Sequence, residues 1–308
     1  MSRPSLRLRL PATSANLGSG FDALAISLNR YLEIEAREAE AFSIQAKGRG
    51  PEVCGSLERN LLLDVYRKTL AANEREEIPL ALEVNNGIPL GMGCGSSAAV
   101  RLAGVALAVH FGGIGWGREQ ILDEATRLEG HPDNAVACWL GGFIAGCWDG
   151  AKVRAVSIPV PAAWQALVAL PEKPLATSAS RAILPASYDR VDAVANLQRV
   201  AVLTAAFATG RGDLLAEAMR DRLHQPYRSK ACPLLPRLLP LAGSQGILGV
   251  SLSGAGPGVL LLVESQGDIN SLDARILQAT NGLGLIEILR CEIENQAAEV
   301  VPGVIPLS

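Results

Sequence analysis

The chain of 308 residues lacks the features that would assign it to several common protein classes. It has six cysteines but no Cys-x-x-Cys pair and no cysteine–histidine spacing that suits zinc, which argues against a structural zinc site. Scattered cysteines fit reduced thiols in the cytoplasm better than a disulfide framework. Because the net charge is −3 and no basic block occurs, nucleic acid is not an expected partner.

Long hydrophobic runs are also missing. The N-terminal segment, MSRPSLRLRL, alternates arginine with leucine and does not form the continuous apolar core of a signal peptide. The most hydrophobic helical run, Ala98–Val109, contains Arg101 and is too short to cross a bilayer. A hydrophobic fraction of 49% and a charged fraction of 19% are typical of a well-buried globular protein. We therefore predict a cytoplasmic globular protein that does not contact a membrane.

A glycine-rich stretch, Pro89–Val100 (PLGMGCGSSAAV), is the clearest functional signal. Its three alternate glycines let the backbone approach a ligand closely, and one of the two serines that follow can cap the helix that the alanines begin. A helix N-terminus with free N–H groups binds anions, so the stretch predicts a phosphate site. No lysine follows the last glycine, which excludes a Walker A loop, and the spacing differs from the dinucleotide fingerprint. The alternative is a tight turn before a buried helix.

Polar residues cluster in two other short segments. Asn16 and Asp22 are the polar groups of a loop rich in small residues, where loop capping is the alternative role. Glu129–Asn134 (EGHPDN) places two carboxylates, an imidazole and an amide within six residues. With Pro132 in the first turn of the next helix, the imidazole and the amide would lie at its positive end. An ordinary helix start is the alternative.

The C-terminal half has fewer signals. The composition changes at Ala151–Pro161, which predicts a domain boundary there. Arg181 and Arg228 fall in predicted loops, the second one after a predicted helix over Asp213–Leu223, and an ordinary solvated arginine is the alternative for each. Two predicted strands are joined by Ser253–Pro257 (SGAGP), a glycine-rich link that forms either a wide hairpin or a backbone surface facing a ligand.

Taken in order, PATSANLGSGFD, PLGMGCGSSAAV, EGHPDN and SGAGP resemble the motifs of the GHMP kinase superfamily. The segments SANLGSGFD, EGHPDN and LHQPYR resemble the homoserine kinase family in particular. The resemblance implies an α+β, two-domain GHMP kinase fold, with an ATP-binding domain like ribosomal protein S5 at 1–160 and a ferredoxin-like domain at 161–308. A homodimer is compatible with the resemblance.

The resemblance also implies an activity, the phosphorylation of the L-homoserine hydroxyl by ATP and Mg²⁺ to O-phospho-L-homoserine, in threonine biosynthesis. One alternative is a GHMP kinase for another small amino acid or alcohol, such as threonine or a mevalonate-like compound. Another is a non-catalytic binding protein with the same fold.

The resemblance further implies roles for single residues. The residues implied to bind ATP are Asn60, near the adenine, and Pro89. Those implied to surround the phosphates are Gly91, Gly93, Gly95, Ser96 and Ser97. Those for Mg²⁺ are Glu129 and a serine hydroxyl, Ser97 in preference to Ser96. Those for the substrate are Asn16, Asp22, His131, Asn134, Thr177, Arg181, Arg228, Gly254 and Gly256, with both arginines on the carboxylate. The candidate catalytic residues are Asp22, His131 and Asn134.

Two positions depart from related kinases. Asn134 stands where mevalonate and galactose kinases have an aspartate, and an amide cannot accept a proton. Homoserine kinases share this asparagine, which implies direct in-line transfer, with the γ-phosphate or water accepting the hydroxyl proton; a base role for Asp22 stays open. Cys94 replaces the usual leucine of the glycine loop. Its place beside a helix N-terminus predicts a thiol that ionises easily, and a packed, inert thiol is the alternative.

Overall fold

The computed structural model describes residues 3–175, 177–267 and 269–303. The elements of the first half are β1 (Leu6–Ala15), β2 (Leu24–Glu38), β3 (Ser43–Gly48), α1 (Pro51–Cys54), α2 (Leu61–Ala72), β4 (Leu80–Asn86), α3 (Ser96–Gly112), α4 (Arg118–Glu129), α5 (Asp133–Leu140), β5 (Phe143–Trp148) and β6 (Val153–Ile158). Those of the second half are β7 (Trp164–Pro171), α6 (Thr177–Ala182), α7 (Arg190–Thr209), α8 (Leu215–Ala218), α9 (Gln225–Arg228), α10 (Leu235–Leu238), β8 (Ile247–Leu252), β9 (Val259–Glu264), α11 (Ile269–Ala279), β10 (Leu285–Glu292) and β11 (Glu299–Pro302).

The first sheet has the strand order β11–β1–β2–β4–β3, and β5 pairs with both β2 and β6. Leucine and arginine alternate at the start of β1, so the leucines face the core while Arg7 is exposed. β3 and β4 run parallel, with α1 and α2 in the connection between them. The Thr13 N–H donates to the Cys94 carbonyl oxygen (3.1 Å), which holds the glycine-rich stretch against β1.

The second sheet has the order β10–β7–β9–β8, and all neighbouring strands are antiparallel. Its elements follow one another as β7, α7, β8, β9, α11 and β10, which is the βαββαβ arrangement of a ferredoxin-like domain. β8 and β9 form a hairpin around the glycine-rich link, which is one of the two alternatives expected for it. The expectation of an α+β fold with a ferredoxin-like second part is confirmed.

One hydrophobic core extends from the first sheet into the second half of the chain. Phe143 on β5 stacks on Phe207 of α7 with ring centroids 4.0 Å apart, and Trp164 contacts the Phe207 ring edge-on. Near the end of the chain, β11 returns to pair with β1. The division at residues 160 and 161 stays a prediction, and the return of β11 places that strand with the first sheet.

Several predicted elements in the second half are wrong. Thr177–Ala182 forms α6 where the sequence predicts a loop. The predicted helix Asp213–Leu223 is replaced by a 3₁₀ turn at Gly212–Leu214 and by the single turn α8. The reason is Asp221, whose carboxylate accepts hydrogen bonds from the next backbone N–H groups and so turns the chain into α9.

α7 is the one helix in the described part of the chain that is long and apolar enough to cross a membrane by length and composition. A helix of a globular domain passes the same test. α7 also packs on the protein, because Leu203 and Phe207 are buried and Asn196 donates to Asp221 Oδ1 at 2.8 Å. The predicted absence of membrane contact therefore stays a prediction.

Candidate active site

Segments from both halves of the chain meet around a narrow cavity of about 60 Å³. The first half contributes the β1–β2 loop, the glycine-rich stretch and the α4–α5 junction, and the second half contributes α6, α9 and the β8–β9 link. The predicted residues that line this cavity are Asn16, Asp22, Gly91, Gly93, Gly95, Ser96, Ser97, Glu129, His131, Asn134, Arg181, Arg228 and Gly254. The fold therefore brings most of the predicted site into one place.

The glycine-rich stretch has a backbone that requires glycine. Gly93 and Gly95 have φ values of +76° and +71°. A Cβ on Gly95 would lie 1.9 Å from Thr13 Oγ1, and one on Gly93 would lie 2.0 Å from the Ser253 carbonyl oxygen. The predicted serine cap of α3 is wrong, because Gly95, which has no side chain, is the N-cap and Ser96 is the first helical residue. The first N–H groups of this long helix are consequently available to an anion.

Ser97 and Glu129 form the pair predicted to hold Mg²⁺. Ser97 Oγ in the first turn of α3 lies 3.4 Å from Glu129 Oε2 at the end of α4. Arg101 Nη1 contacts both oxygens. A hydroxyl and a buried carboxylate are the hard oxygen ligands that Mg²⁺ prefers, so the residues fit this ion. Ser96, the alternative ligand, also lines the cavity.

His131, Asp133 and Asn134 form a connected polar group at the start of α5. His131 Nδ1 donates to Asp133 Oδ1 (2.5 Å), which also accepts from the Asn134 N–H (2.7 Å). Burial disfavours both charges, but their mutual attraction is stronger, so the pKa of His131 is raised and the pKa of Asp133 is lowered. Asn134 Oδ1 accepts from Thr13 Oγ1 at 2.6 Å, which orients the amide. Pro132 is the N-cap of α5 and not, as predicted, part of its first turn.

Asp22 and Arg181 pair with each other beside the cavity. Arg181 Nη2 donates to Asp22 Oδ1 (2.5 Å) and Nη1 donates to Oδ2 (3.0 Å), a two-point ion pair between the β1–β2 loop and α6. Asn16 supports this arrangement, since its Oδ1 accepts from the Asp22 N–H (2.9 Å) and its Nδ2 donates to the Gly254 carbonyl oxygen (2.8 Å). Asn16 thus links the two halves of the chain at the site.

Arg228 is a buried cation, 1% exposed, that has no carboxylate within ion-pair distance among the described residues. Its Nη1 donates to His224 Nδ1 (3.1 Å), and His224 Nε2 donates to the Gly18 carbonyl oxygen (2.9 Å). Burial, and after it the charge of Arg181, lowers the pKa of Arg228 below its ordinary value. The two guanidinium carbons lie 5.4 Å (Arg228) and 5.7 Å (Arg181) from the centre of the Phe21 ring. The alternative of a solvated arginine is wrong for Arg228.

Three predicted residues in the described part of the chain, Asn60, Pro89 and Gly256, lie outside the lining of the cavity, and a fourth, Thr177, is described only in its backbone. Asn60 caps α2, because its Oδ1 accepts from the Leu62 N–H (2.9 Å) while Nδ2 donates to the Ser56 carbonyl oxygen (2.8 Å). Pro89 precedes the lining part of the glycine-rich stretch, and a Cβ on Gly256 would lie 2.7 Å from Cys232 Sγ. The backbone of Thr177 begins α6, but its side chain lies outside the described residues. The roles of these residues stay predictions.

Cys94 does not have the predicted reactive environment. Its side chain is buried, and burial raises the pKa of its thiol to about 12. The prediction of easy ionisation is wrong because the cost of desolvating a thiolate outweighs the attraction of the helix N-terminus. The structure supports the packed thiol of the alternative, and its inertness stays a prediction.

Sequence reasoning missed several side chains that position the site, among them Thr13, Phe21 and His224. Thr13 bonds Asn134, Phe21 lies beside both arginines, and His224 bonds Arg228. All three lie inside two segments that the sequence analysis singled out, PATSANLGSGFD and LHQPYR. Their presence in these motifs was the sequence signal that could have identified them.

Comparisons with known proteins give a consistent result. Residues 60–142 match the family model of the GHMP kinases N terminal domain, and residues 203–279 match that of the GHMP kinases C terminal domain. A homoserine kinase of Solibacter usitatus is 46% identical over 261 residues, which cover 83% of this chain and 84% of that protein. A homoserine kinase of Thermus thermophilus is 40% identical, with coverage of 84% and 87%.

Solved structures agree with these relatives. The crystal structure of homoserine kinase from Cytophaga hutchinsonii has a TM-score of 0.79 and 26% identity, and the match covers 97% of this chain and 98% of that one. Mevalonate diphosphate decarboxylase from Staphylococcus aureus shares the fold alone, with a TM-score of 0.66 at 14% identity over 98% of both chains. Sequence identity of 46% over more than four fifths of both chains goes well beyond a shared fold, and the chain belongs to the homoserine kinase family of the GHMP kinases.

Proposed function

We propose that the protein transfers the γ-phosphoryl group of ATP to the side-chain hydroxyl of L-homoserine, as a step of threonine biosynthesis. The observation that carries this proposal is the buried guanidinium of Arg228, which has no carboxylate partner in the described part of the chain. A buried charge without a partner is costly, so a substrate anion beside it is strongly favoured. The Asp22–Arg181 pair next to it offers one acidic and one basic group, which complement the ammonium and carboxylate of an amino acid.

In the proposed complex, Arg228 and Arg181 bind the substrate carboxylate and Asp22 binds the ammonium group. The Asp22–Arg181 pair is exchanged for two pairs with the zwitterion, so no charge at the site is left without a partner. Asn16, which bonds both Asp22 and Gly254, also lines the cavity. Thr177 is proposed to support the arginines, as the resemblance implies. This arrangement selects an amino acid over an uncharged alcohol.

The nucleotide site is proposed to follow the glycine-rich stretch. The triphosphate lies along the N–H groups of Gly91–Ser97, where the N-terminus of α3 attracts negative charge. Asn60 and Pro89 lie towards the adenine. The apolar side chains of Val53, Leu57 and Leu61 are 60%, 46% and 37% exposed, and their place in the chain around Asn60 offers a surface for the adenine ring.

Transfer is proposed to be direct. The homoserine hydroxyl oxygen attacks the γ-phosphorus in line, the bond to ADP breaks, and the hydroxyl proton passes to a phosphate oxygen. Asn134, oriented by Thr13, positions the hydroxyl, and the His131 imidazolium, held by Asp133, stabilises developing negative charge. When bound by Ser97 and Glu129, Mg²⁺ would supply charge neutralisation on the phosphates.

We also propose a cytoplasmic protein without nucleic-acid or membrane partners, supported by its composition and net charge of −3. We further propose a homodimer. Its support is that α7 carries Val191 and Leu197, apolar side chains that are 69% and 65% exposed and that a second copy would cover.

Phosphorus NMR of the reaction mixture tests the proposed function. The protein is incubated with MgATP and with L-homoserine, L-threonine or mevalonate in separate samples. We expect a phosphomonoester signal that forms fastest with L-homoserine. If the signal forms only with another acceptor, that acceptor is the substrate in place of L-homoserine. ATP binding without any product would support the non-catalytic alternative.

A further inference from the structure

Arg101 occupies the position between the two residues assigned to the metal. It lies on α3 four residues after Ser97, and this spacing places both side chains on one face of the helix. The same nitrogen, Nη1, contacts Ser97 Oγ and Glu129 Oε2, and these two oxygens lie 3.4 Å apart. The Arg101 guanidinium therefore already occupies the point where a metal ion bound by both oxygens would lie.

The charge of Arg101 has a clear electrostatic purpose. The Glu129 side chain is 8% exposed, and a buried carboxylate needs a compensating positive charge. Among the described residues, the other side chain within ion-pair distance of Glu129 is His131, whose Nε2 lies farther away, 3.8 Å from Glu129 Oε1. The Arg101 side chain is 21% exposed, so its guanidinium has a path to solvent and can leave Glu129 by rotation of its own side chain.

We propose that Arg101 is an internal counter-ion that holds Ser97 and Glu129 in position before the metal arrives and that Mg²⁺ must displace. Arg101 thereby sets the affinity of the site for the metal. It is a positioning residue, because it acts through the two ligands. The inference rests on the assignment of Ser97 and Glu129 to Mg²⁺ in the proposed function.

Binding of Mn²⁺ to the nucleotide-free enzyme tests the proposal, with the free ion followed by electron paramagnetic resonance. Arg101→Met removes the competing cation, so the Mn²⁺ dissociation constant should fall about tenfold. Arg101→Lys keeps a cation but loses the planar, forked guanidinium, and its Mn²⁺ dissociation constant should lie between those of the wild type and Arg101→Met. The control is Arg127→Met, which removes an equal charge from α4 close to Glu129, where Arg127 pairs with Glu124. Its dissociation constant should equal that of the wild type.

Thermal unfolding provides a second readout. Without divalent ions, Arg101→Met should melt below the wild type because Glu129 loses its partner, and MgCl₂ should restore the melting temperature. A loss of stability that MgCl₂ does not reverse, or an unchanged Mn²⁺ affinity in Arg101→Met, would overturn the proposal.

Glu129→Gln separates failure of this inference from failure of the metal assignment. If Glu129→Gln weakens Mn²⁺ binding while Arg101→Met leaves it unchanged, the metal assignment stands and the role of Arg101 is wrong. If Glu129→Gln leaves the Mn²⁺ dissociation constant unchanged, both in the wild type and when combined with Arg101→Met, the metal assignment and the inference are both wrong. Product formation from L-homoserine by the wild type is independent of both outcomes.

Discussion

At the scale of single residues, the proposed substrate site contains a buried charge, Arg228, that has no ion-pair partner among the described residues. The Arg228 guanidinium is fixed by His224 and by the Ser180 carbonyl oxygen, both of which are uncharged acceptors here. These bonds orient the guanidinium but do not neutralise it. A bound carboxylate would do so, and this is the role proposed for Arg228 in the lining of the cavity.

Replacing Arg228 tests this role. Arg228→Leu should raise the KM for L-homoserine by about tenfold or more, because a charge-assisted hydrogen bond contributes about 1.5–3 kcal/mol. The KM for ATP should change little. Arg199→Leu is the matched control, since Arg199 pairs with Glu217 outside the cavity, and steady-state kinetics should show wild-type constants for it. An unchanged KM for L-homoserine in Arg228→Leu would remove this residue from the site.

The His131–Asp133 pair predicts a pH-dependent stability. The raised pKa of His131 adds stability below its ordinary value of 6.5, and this stability is lost as pH rises through the pKa of the folded state. The lowered pKa of Asp133 adds stability above 3.8, which is lost as pH falls through its folded pKa. His131→Gln should therefore lose more free energy of unfolding at about pH 5.5 than at about pH 9.

Urea unfolding at both pH values measures this difference. His110→Gln is the control, because the His110 ring bonds the Pro4 carbonyl oxygen instead of a carboxylate. An equal loss at both pH values in His131→Gln would show that the ion pair adds no stability.

The residues that line the site were predictable from the motifs, but their internal pairing was not. The roles given to them, arginines for a carboxylate and a serine and a glutamate for Mg²⁺, follow from motif resemblance and ligand chemistry and stay predictions. The pairs Asp22–Arg181 and Glu129–Arg101 join residues far apart in the chain, so only the folded structure brings them together. The same holds for Cys94, where the local helix N-terminus was visible in the sequence and the depth of burial was not.

At the scale of elements, Asn60 shows how a predicted site residue can have a structural role. Its side chain bonds both the start of α2 and the preceding loop. Asn60→Ala should lower the free energy of unfolding by about 1 kcal/mol, the usual value for a lost N-cap. Urea unfolding measures it, with Lys68→Ala on the exposed face of α2 as a control that should change little. A wild-type stability for Asn60→Ala with a raised KM for ATP would favour the adenine role alone.

Long elements with clear periodicity were predictable, and single-turn helices were not. The helix predicted to begin at the alanines of the glycine-rich stretch is α3, and the two strands predicted on either side of Ser253–Pro257 are β8 and β9. α6, α8 and α9 have too few residues for a hydrophobic period, and their positions depend on tertiary contacts such as the carboxylate of Asp221.

At the scale of the whole molecule, the two sheets share contacts that composition alone could not reveal. The change of composition near residue 160 predicts a boundary, yet the Phe143–Phe207 stack crosses it and β11 returns to the first sheet. The site also depends on both halves, because the Ser253 hydroxyl donates to the Gly93 carbonyl oxygen at 2.7 Å. Separate folding of the halves would leave a large apolar surface in water.

We therefore expect the protein to unfold as one cooperative unit. Thermal transitions followed by far-UV and near-UV circular dichroism should coincide, and Phe207→Ala should shift both by the same amount, at a cost of about 3–5 kcal/mol. A fragment of residues 1–160 should give no near-UV signal, since it lacks β11 and the face of α7 that covers Phe143. Phe207 lies in the second half and Phe143 in the first, so a shift confined to one of two separate transitions would show that the halves are energetically independent.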